Sequence, residues 1–277
     1  MAIKSLKEMQ ETALDATKPG TVNPVEMLRL EALTSFEKYT KLMFKCQYKR
    51  SFIVAEHHKK MFEVLQDVVD GKITRLIINI APRYGKTELV IKSFISWAFA
   101  LNPRCRFLHL SYSDILVNDN SDTVRNIMSE ELYKTLFPNS ALASEKGSAK
   151  RWKTKAGGEL YAVSTQGQVT GFGAGAVDEE IDKMDGGNDI FVFDDHTNEM
   201  LKMIDAKTNI FQGAIVIDDP LKADDAASDL IRERINQRFE NTIRNRVNSR
   251  RTPIIIIMQR LHEHDLCGYL QEIEPDT

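Results

Sequence analysis

A chain of 277 residues, 42% hydrophobic and 28% charged, is long enough to bury a full core and has an ordinary globular composition. Its longest strongly apolar stretch, Leu89 to Leu101, is interrupted by Lys92 and falls short of the roughly 20 residues of a membrane helix; the N-terminal residues lack a signal-peptide core. The net charge of -3 excludes a protein coated in positive charge, and Cys46, Cys105 and Cys267, far apart and without a CxxC pair, exclude a disulfide framework and read as free thiols in a reducing cytosol.

Residues 1–50 read as an N-terminal arm with one helical stretch from about Pro24 to Lys45, punctuated upstream by Pro19 and Gly20. Residues 51–277 read as one domain. Segments rich in β-branched and apolar residues recur there with helical stretches between them: Arg75 to Ile80, Arg106 to Ser111, Glu159 to Ser164, Ala214 to Ile217 and Pro253 to Met258. Short, nearly continuous apolar strands suit a parallel sheet buried on both faces, and their alternation with helices predicts an α/β layered domain. The stretch Gly167 to Gly175 predicts a turn-rich loop near the edge of that sheet. Asp178 to Asp205 holds ten acidic residues against Lys183 and Lys202, a local charge of -8 that leaves the remainder at +5. We place it as an acidic insertion, about residues 178–210, before the Ala214 strand. Two basic clusters stand elsewhere: Lys146, Lys150, Arg151, Lys153 and Lys155, then Arg232, Arg234, Arg238, Arg244, Arg246, Arg250 and Arg251. Either pattern fits a phosphate-backbone grip or a solvated helix face.

The most informative stretch is RLIINIAPRYGKTELVIKSFISWAF, a buried strand, then Ala81, Pro82, Arg83, Tyr84, Gly85, Lys86 and Thr87, then Glu88 opening a helix with no breaker before Pro103. A strand feeding such a loop into a helix N-terminus aims backbone N–H groups and the positive end of the helix dipole at one point, which suits a triphosphate. Lys86 would reach the β- and γ-phosphates, Thr87 would ligate Mg²⁺, and Gly85 lets the backbone approach without a Cβ. Ile80 stands where the usual pattern has its first glycine, so the loop is a shortened form of the motif.

Hydrolysis needs one carboxylate for the hydrated Mg²⁺ and another to orient and deprotonate water. GAIVIDDP supplies four apolar residues and then Asp218, on the magnesium, and Asp219, on the water. DIFVFDDH, ending in Asp194 and Asp195, has the same shape, and pattern alone does not separate the two. Context favours the later pair, because Pro220 ends that strand, a helix follows, and the IIIIMQR strand comes next. At the tip of that last strand, Gln259 and Arg260 occupy the position from which a polar group senses the γ-phosphate. The following His262, Glu263, His264 and Asp265 do not match H-E-x-x-H, so both histidines cannot share one helical face, and zinc is not expected.

APRYGKTEL, the I-D-D-P segment and the Q-R followed by L-H-E-H-D-L together resemble the ATPase domain of bacteriophage terminase large subunits, over roughly Phe52 to Leu270. The resemblance implies an ASCE-type P-loop NTPase that hydrolyses ATP with Mg²⁺ to move double-stranded viral DNA into a procapsid in the host cytoplasm. It implies a homo-oligomeric ring on a portal protein, a small terminase subunit as partner, and no membrane. It also assigns Arg83 to the phosphates, His57 or His58 to adenine, and Gln259 with Arg260 to the coupling of hydrolysis to motion. Arg125 becomes a candidate finger for a neighbouring subunit's ATP or, equally, a cap on its own helix. The nuclease domain of such proteins has no room in this chain, so no DNA cleavage is expected. A helicase-like translocase and a nucleotide-binding assembly module without turnover remain the alternatives.

Overall fold

The structure is a computed structural model that describes residues 23–144, 148–169, 171–177 and 195–275. The first residues of the arm, Lys146, Thr170 and the acidic run through Asp194 lie outside the described residues.

Asn23 starts the first helix, α1 (Pro24–Thr34), by accepting a hydrogen bond from the Val25 amide at 2.8 Å, with Pro24 in the first turn where its missing N–H costs nothing. The single helix expected here is two. Ser35 adopts an extended backbone (φ -131°) and caps the second, α2 (Phe36–Tyr48), through its hydroxyl. A third helix, α3 (Glu56–Val69), precedes strand β1 (Arg75–Asn79). After the Ala81–Thr87 loop comes a π-helical turn, Glu88–Ser93, running into α4 (Phe94–Leu101). Then follow β2 (Arg106–Ser111), α5 (Asp114–Ser129), α6 (Glu131–Leu136), β3 (Arg151–Lys153), β4 (Glu159–Ser164) and α7 (Asp195–Ile210). The last elements are β5 (Ile215–Asp218), α8 (Asp229–Arg238), a second π-helical turn (Phe239–Ile243), β6 (Ile254–Met258) and α9 (Leu266–Ile273).

The six strands form one sheet in the order β1-β6-β5-β2-β4-β3. All neighbours are parallel except β3, which pairs antiparallel with β4 at the edge. The short β3 carries Trp152 between two exposed cations, too little alternation for the sequence to announce a strand. Side chains alternate between the two faces as a pleated sheet requires. Phe107, Val216, Ile255 and Ile257 pack toward the helices from α1 to α7, whereas Leu108, Leu110, Ile217 and Ile256 pack toward α9 and the Phe239–Ile243 turn. Burial on both faces explains why β5 and β6 read as nearly unbroken apolar runs. Gly213 (φ 120°) lets the chain enter β5 close beside β2: a Cβ there would stand 2.2 Å from the Arg106 carbonyl oxygen.

Two expectations change. The helical part of the arm belongs to the core. Leu30, Leu33, Phe36 and Tyr39 are buried in the same cluster as Phe94 and Trp97, the Trp97 indole donates to the Ala32 carbonyl at 2.9 Å, and Tyr39 donates to Ser96 at 2.7 Å. A polar N-terminal half masked this, since α2 hides its apolar stripe among lysines and glutamates. The C-terminal part of the acidic insertion is likewise integral. Met200 and Ile204 of α7 are buried against the core, and Lys207, itself buried, pairs with Asp70 at the end of α3. The Gly167–Gly175 stretch is turn-rich and follows the strand next to the sheet edge, as expected, and its described residues Val169, Phe172 and Ala174 pack into the second face of the sheet. Among the described residues, no helix is long and apolar enough to cross a membrane.

Candidate functional site

β1, β5 and β6 all run in the same direction, so their C-terminal ends open at one edge of the sheet. β6 lies between β1 and β5, which sets the Ala81–Thr87 loop and the Asp218–Asp219 pair on either side of Gln259. The loop needs a left-handed backbone at Arg83 (φ 68°) and at Gly85 (φ 79°). Glycine meets the second requirement without strain, and its missing Cβ would otherwise lie 3.0 Å from His58 Nε2. Ala81, Pro82, Arg83 and Tyr84 are exposed, and Arg83 has no carboxylate partner among the described residues.

The loop is braced from α3. His57 Nε2 and His58 Nε2 each lie 3.2 Å from the Tyr84 carbonyl oxygen. His58 Nδ1 accepts the Ala55 amide at 3.0 Å, so its Nε2 carries the proton and donates to Tyr84. Burial, and then the neighbouring His57, hold the His58 pKa below the usual imidazole range, in keeping with a neutral ring. His57 and His58, one or other of which the resemblance assigns to adenine, both contact the loop backbone here. Beyond the loop, Glu88 is fixed by the Tyr48 hydroxyl at 3.2 Å and Lys92 at 3.0 Å.

Lys86 and Thr87 face the two aspartates. Lys86 Nζ, buried to 6% exposure, lies 2.5 Å from both carboxylate oxygens of Asp219. Thr87 Oγ1 donates to Asp218 Oδ2 at 2.9 Å. Asp219 is pinned in a left-handed conformation (φ 43°): its amide donates to Ile257, its carbonyl accepts from Tyr112, and its Oδ1 accepts the Gln259 amide at 3.1 Å. A non-glycine residue held there costs of order 1 to 3 kcal/mol, which this frame of bonds from β2 and β6 offsets.

Asp218 is 5% exposed, and its Oδ1 is buried without a hydrogen-bond partner. Burial first, and then the Asp219 carboxylate, push its pKa up to about 6. An orphan oxygen on a buried carboxylate beside a hydroxyl is a donor set for a hard divalent cation that takes its other ligands from water or phosphate. No group of three or more His, Cys, Asp or Glu side chains that could hold a metal exists among the described residues. Asn120 of α5 also reaches Asp218 Oδ2, at 3.5 Å, and lies 3.4 Å from Nε2 of the buried His109. His109 Nδ1 is 3.1 Å from the Val216 carbonyl. Neither residue was flagged by sequence reasoning, since an asparagine within a helix and a lone histidine in an apolar strand carry no motif.

The remaining candidates stand apart. Arg260 turns away from Asp219: Nε donates to Asp265 Oδ2 at 3.1 Å, and its other nitrogens hold Gln271 and the carbonyls of His262 and Glu263. Asp265, fully buried, accepts the amides of Leu261, His262 and Gly268 as the N-cap of α9. Arg125 is largely buried and pairs with Asp122 one turn earlier on its own helix at 3.1 Å, an ion pair within the helix and not a cap at its end. Asp195 is the first residue of α7, and Asp194 lies outside the described residues.

No protein-family model and no curated protein matches this chain. Among solved structures it is similar to the large terminase of bacteriophage HK97, at 12% identity and a TM-score of 0.44. That likeness covers 82% of this chain and 38% of the terminase chain.

Proposed function

We propose that this chain is a P-loop ATPase of the ASCE type and the motor of a terminase large subunit, hydrolysing ATP with Mg²⁺ to translocate double-stranded viral DNA. The observation that carries the reading is the convergence of Lys86 and Thr87 on Asp219 and Asp218, with β6 between the two strands that deliver them. The motif resemblance to terminases supplies the biological setting: a homo-oligomeric ring on a portal protein, a small terminase subunit as partner, and assembly in the host cytoplasm.

In this reading the Ala81–Thr87 loop binds the phosphates through its amides and Lys86, with exposed Arg83 free to add a second cation. Thr87 and Asp218 would hold magnesium, whose chemistry there would be to neutralise charge on the phosphoryl group. Lys86 must then exchange Asp219 for phosphate, and this exchange leaves Asp219 free to accept the proton of the attacking water. The lysine therefore acts twice, masking the base before nucleotide arrives and binding nucleotide afterwards.

The test is ATP turnover by the purified chain with Lys86→Ala, Asp219→Asn and Asp195→Asn alongside. Lys86→Ala and Asp219→Asn should each lose about 10²-fold or more in kcat, as expected for groups that stabilise or activate the reacting atoms. Asp195→Asn should keep wild-type turnover. Equal rates in all four proteins would refute the site, and nucleotide binding without turnover in the wild type would leave an assembly module instead.

A further inference from the structure

The two basic clusters differ once folded. In the first, Arg151 is committed to Glu159 at 2.5 Å, Lys153 stands 4.0 Å from the same carboxylate, and Lys146 lies outside the described residues. In the second, Arg232 is buried against Asp229 and the Ala226 carbonyl, and Arg244 bridges Glu240 and Glu274 at 2.6 Å each. Of the cations these pairings leave, Lys150, Lys155, Arg246, Arg250 and Arg251 among them, Arg234 and Arg238 stand one turn apart on α8 and line one groove. They face an open groove of about 500 Å³ between that helix, the Phe239–Ile243 turn and the turn after β4. Thr165, Gln166, Asn241 and Thr242 add neutral hydrogen-bonding groups to its walls, and among the described residues no carboxylate lines it. Arg234 is exposed; Arg238 donates one nitrogen to the Gly167 carbonyl and keeps a buried Nε without a hydrogen-bond partner.

The geometry points to a binding groove for the phosphodiester backbone of DNA, an assignment that rests on the translocase reading above. Two guanidinium groups spaced by one helical turn, with amide and hydroxyl groups around them and no acid among the described lining residues, match the mixed donors that hold phosphate oxygens without reading bases. An open trough passes a strand along it, whereas a closed cup would hold a single phosphate. The groove also touches the reaction site. Thr165 donates through its hydroxyl to the Pro220 carbonyl at 3.3 Å and through its amide to Ser111 at 2.7 Å, and Pro220 follows Asp219 directly. Strain from a bound strand reaches the water-activating carboxylate through one peptide.

Binding of a fluorescent DNA duplex, measured by anisotropy across a salt series without nucleotide, tests the groove. Arg234→Gln should weaken binding about tenfold at low salt and reduce the slope of log affinity against log salt by about 1. Arg250→Gln, an exposed arginine outside the groove, should change neither. An unchanged slope in Arg234→Gln, or an equal loss in Arg250→Gln, overturns the groove while the ATPase reading stands on its own turnover assay. Inorganic phosphate that displaces the duplex at matched ionic strength also overturns it, by making the site one for free phosphate. A wild-type chain that turns over ATP yet binds no duplex sinks the groove and the DNA reading together.

Discussion

Asp218 and His109 lie on the same face of the sheet and titrate in opposite senses, which makes the pH dependence of stability a sharp probe of the site. In the folded chain Asp218 keeps its proton up to about pH 6, whereas unfolded it loses the proton near 3.8. Between those values the folded state holds the extra proton, so stability falls as pH rises, by about 1.4 kcal/mol per unit and about 3 kcal/mol in all. Burial lowers His109 from 6.5 to about 4, so there the unfolded state holds the extra proton and stability rises with pH. That contribution is also about 3 kcal/mol, and from about pH 4 to about pH 6 the two slopes cancel. Asp218→Asn removes only the first. Relative to wild type, the variant should therefore gain about 3 kcal/mol between about pH 4 and about pH 7. A constant offset accompanies it, because the new amide nitrogen would sit where Oδ1 has no partner. His109→Gln should drift the other way. Urea unfolding followed by circular dichroism, in EDTA and without nucleotide, reads both differences; carboxylates elsewhere drop out of the comparison. A difference between wild type and Asp218→Asn that stays constant over this range would refute the reasoning, because it would mean that Asp218 titrates alike in both states.

Two further substitutions test the frame around the site. Phe36→Ala should cost about 3 to 5 kcal/mol in chemical denaturation, the price of a cavity beside Phe62, Phe94 and Trp97; a loss near zero would return α2 to the status of a detached arm. Gly85→Ala forces a side chain into a left-handed backbone and against His58, so it should lower stability by about 1 to 2 kcal/mol and abolish measurable ATP binding by calorimetry. Retained affinity in that variant would show that the loop does not bind phosphate in this conformation.

What the sequence made legible was the chemistry that runs along a single segment. Five strands were readable because each is a short, largely apolar run, most of them buried on both faces, and the loop, its glycine and the strand-end aspartates were readable because motif and flanks coincide. What escaped was set by contacts between distant segments. The break at Ser35 is a serine any helix would tolerate, and the burial of α2 and α7 depends on partners up to 137 residues away, as in the Lys207–Asp70 pair. Asn120 acquires a role only because α5 crosses the end of β5. Arg260, placed at a strand tip by pattern, was read as facing the site; its guanidinium turns to Asp265, a choice settled by a buried acid five residues later.

That turn alters how hydrolysis would be transmitted. A side-chain sensor at Arg260 would have to break its bonds to Asp265, Gln271 and two carbonyls, giving up several charge-assisted contacts at once. The backbone offers a cheaper route. Gln259 N–H already holds Asp219 Oδ1, the same oxygen that Lys86 holds at 2.5 Å, so in the proposed cycle the departure of Lys86 toward phosphate leaves the Asp219 carboxylate held by the Gln259 amide. Past Gln259, Arg260 and Asp265 lock the turn to the first residues of α9, and the Gly268 Cα packs so closely that a Cβ would lie 1.8 Å from the Glu263 carbonyl oxygen. A unit bound this tightly moves as one body or not at all. In the proposed cycle the arginine would therefore serve coupling by stiffness, carrying a small displacement at Asp219 to α9 without approaching the nucleotide.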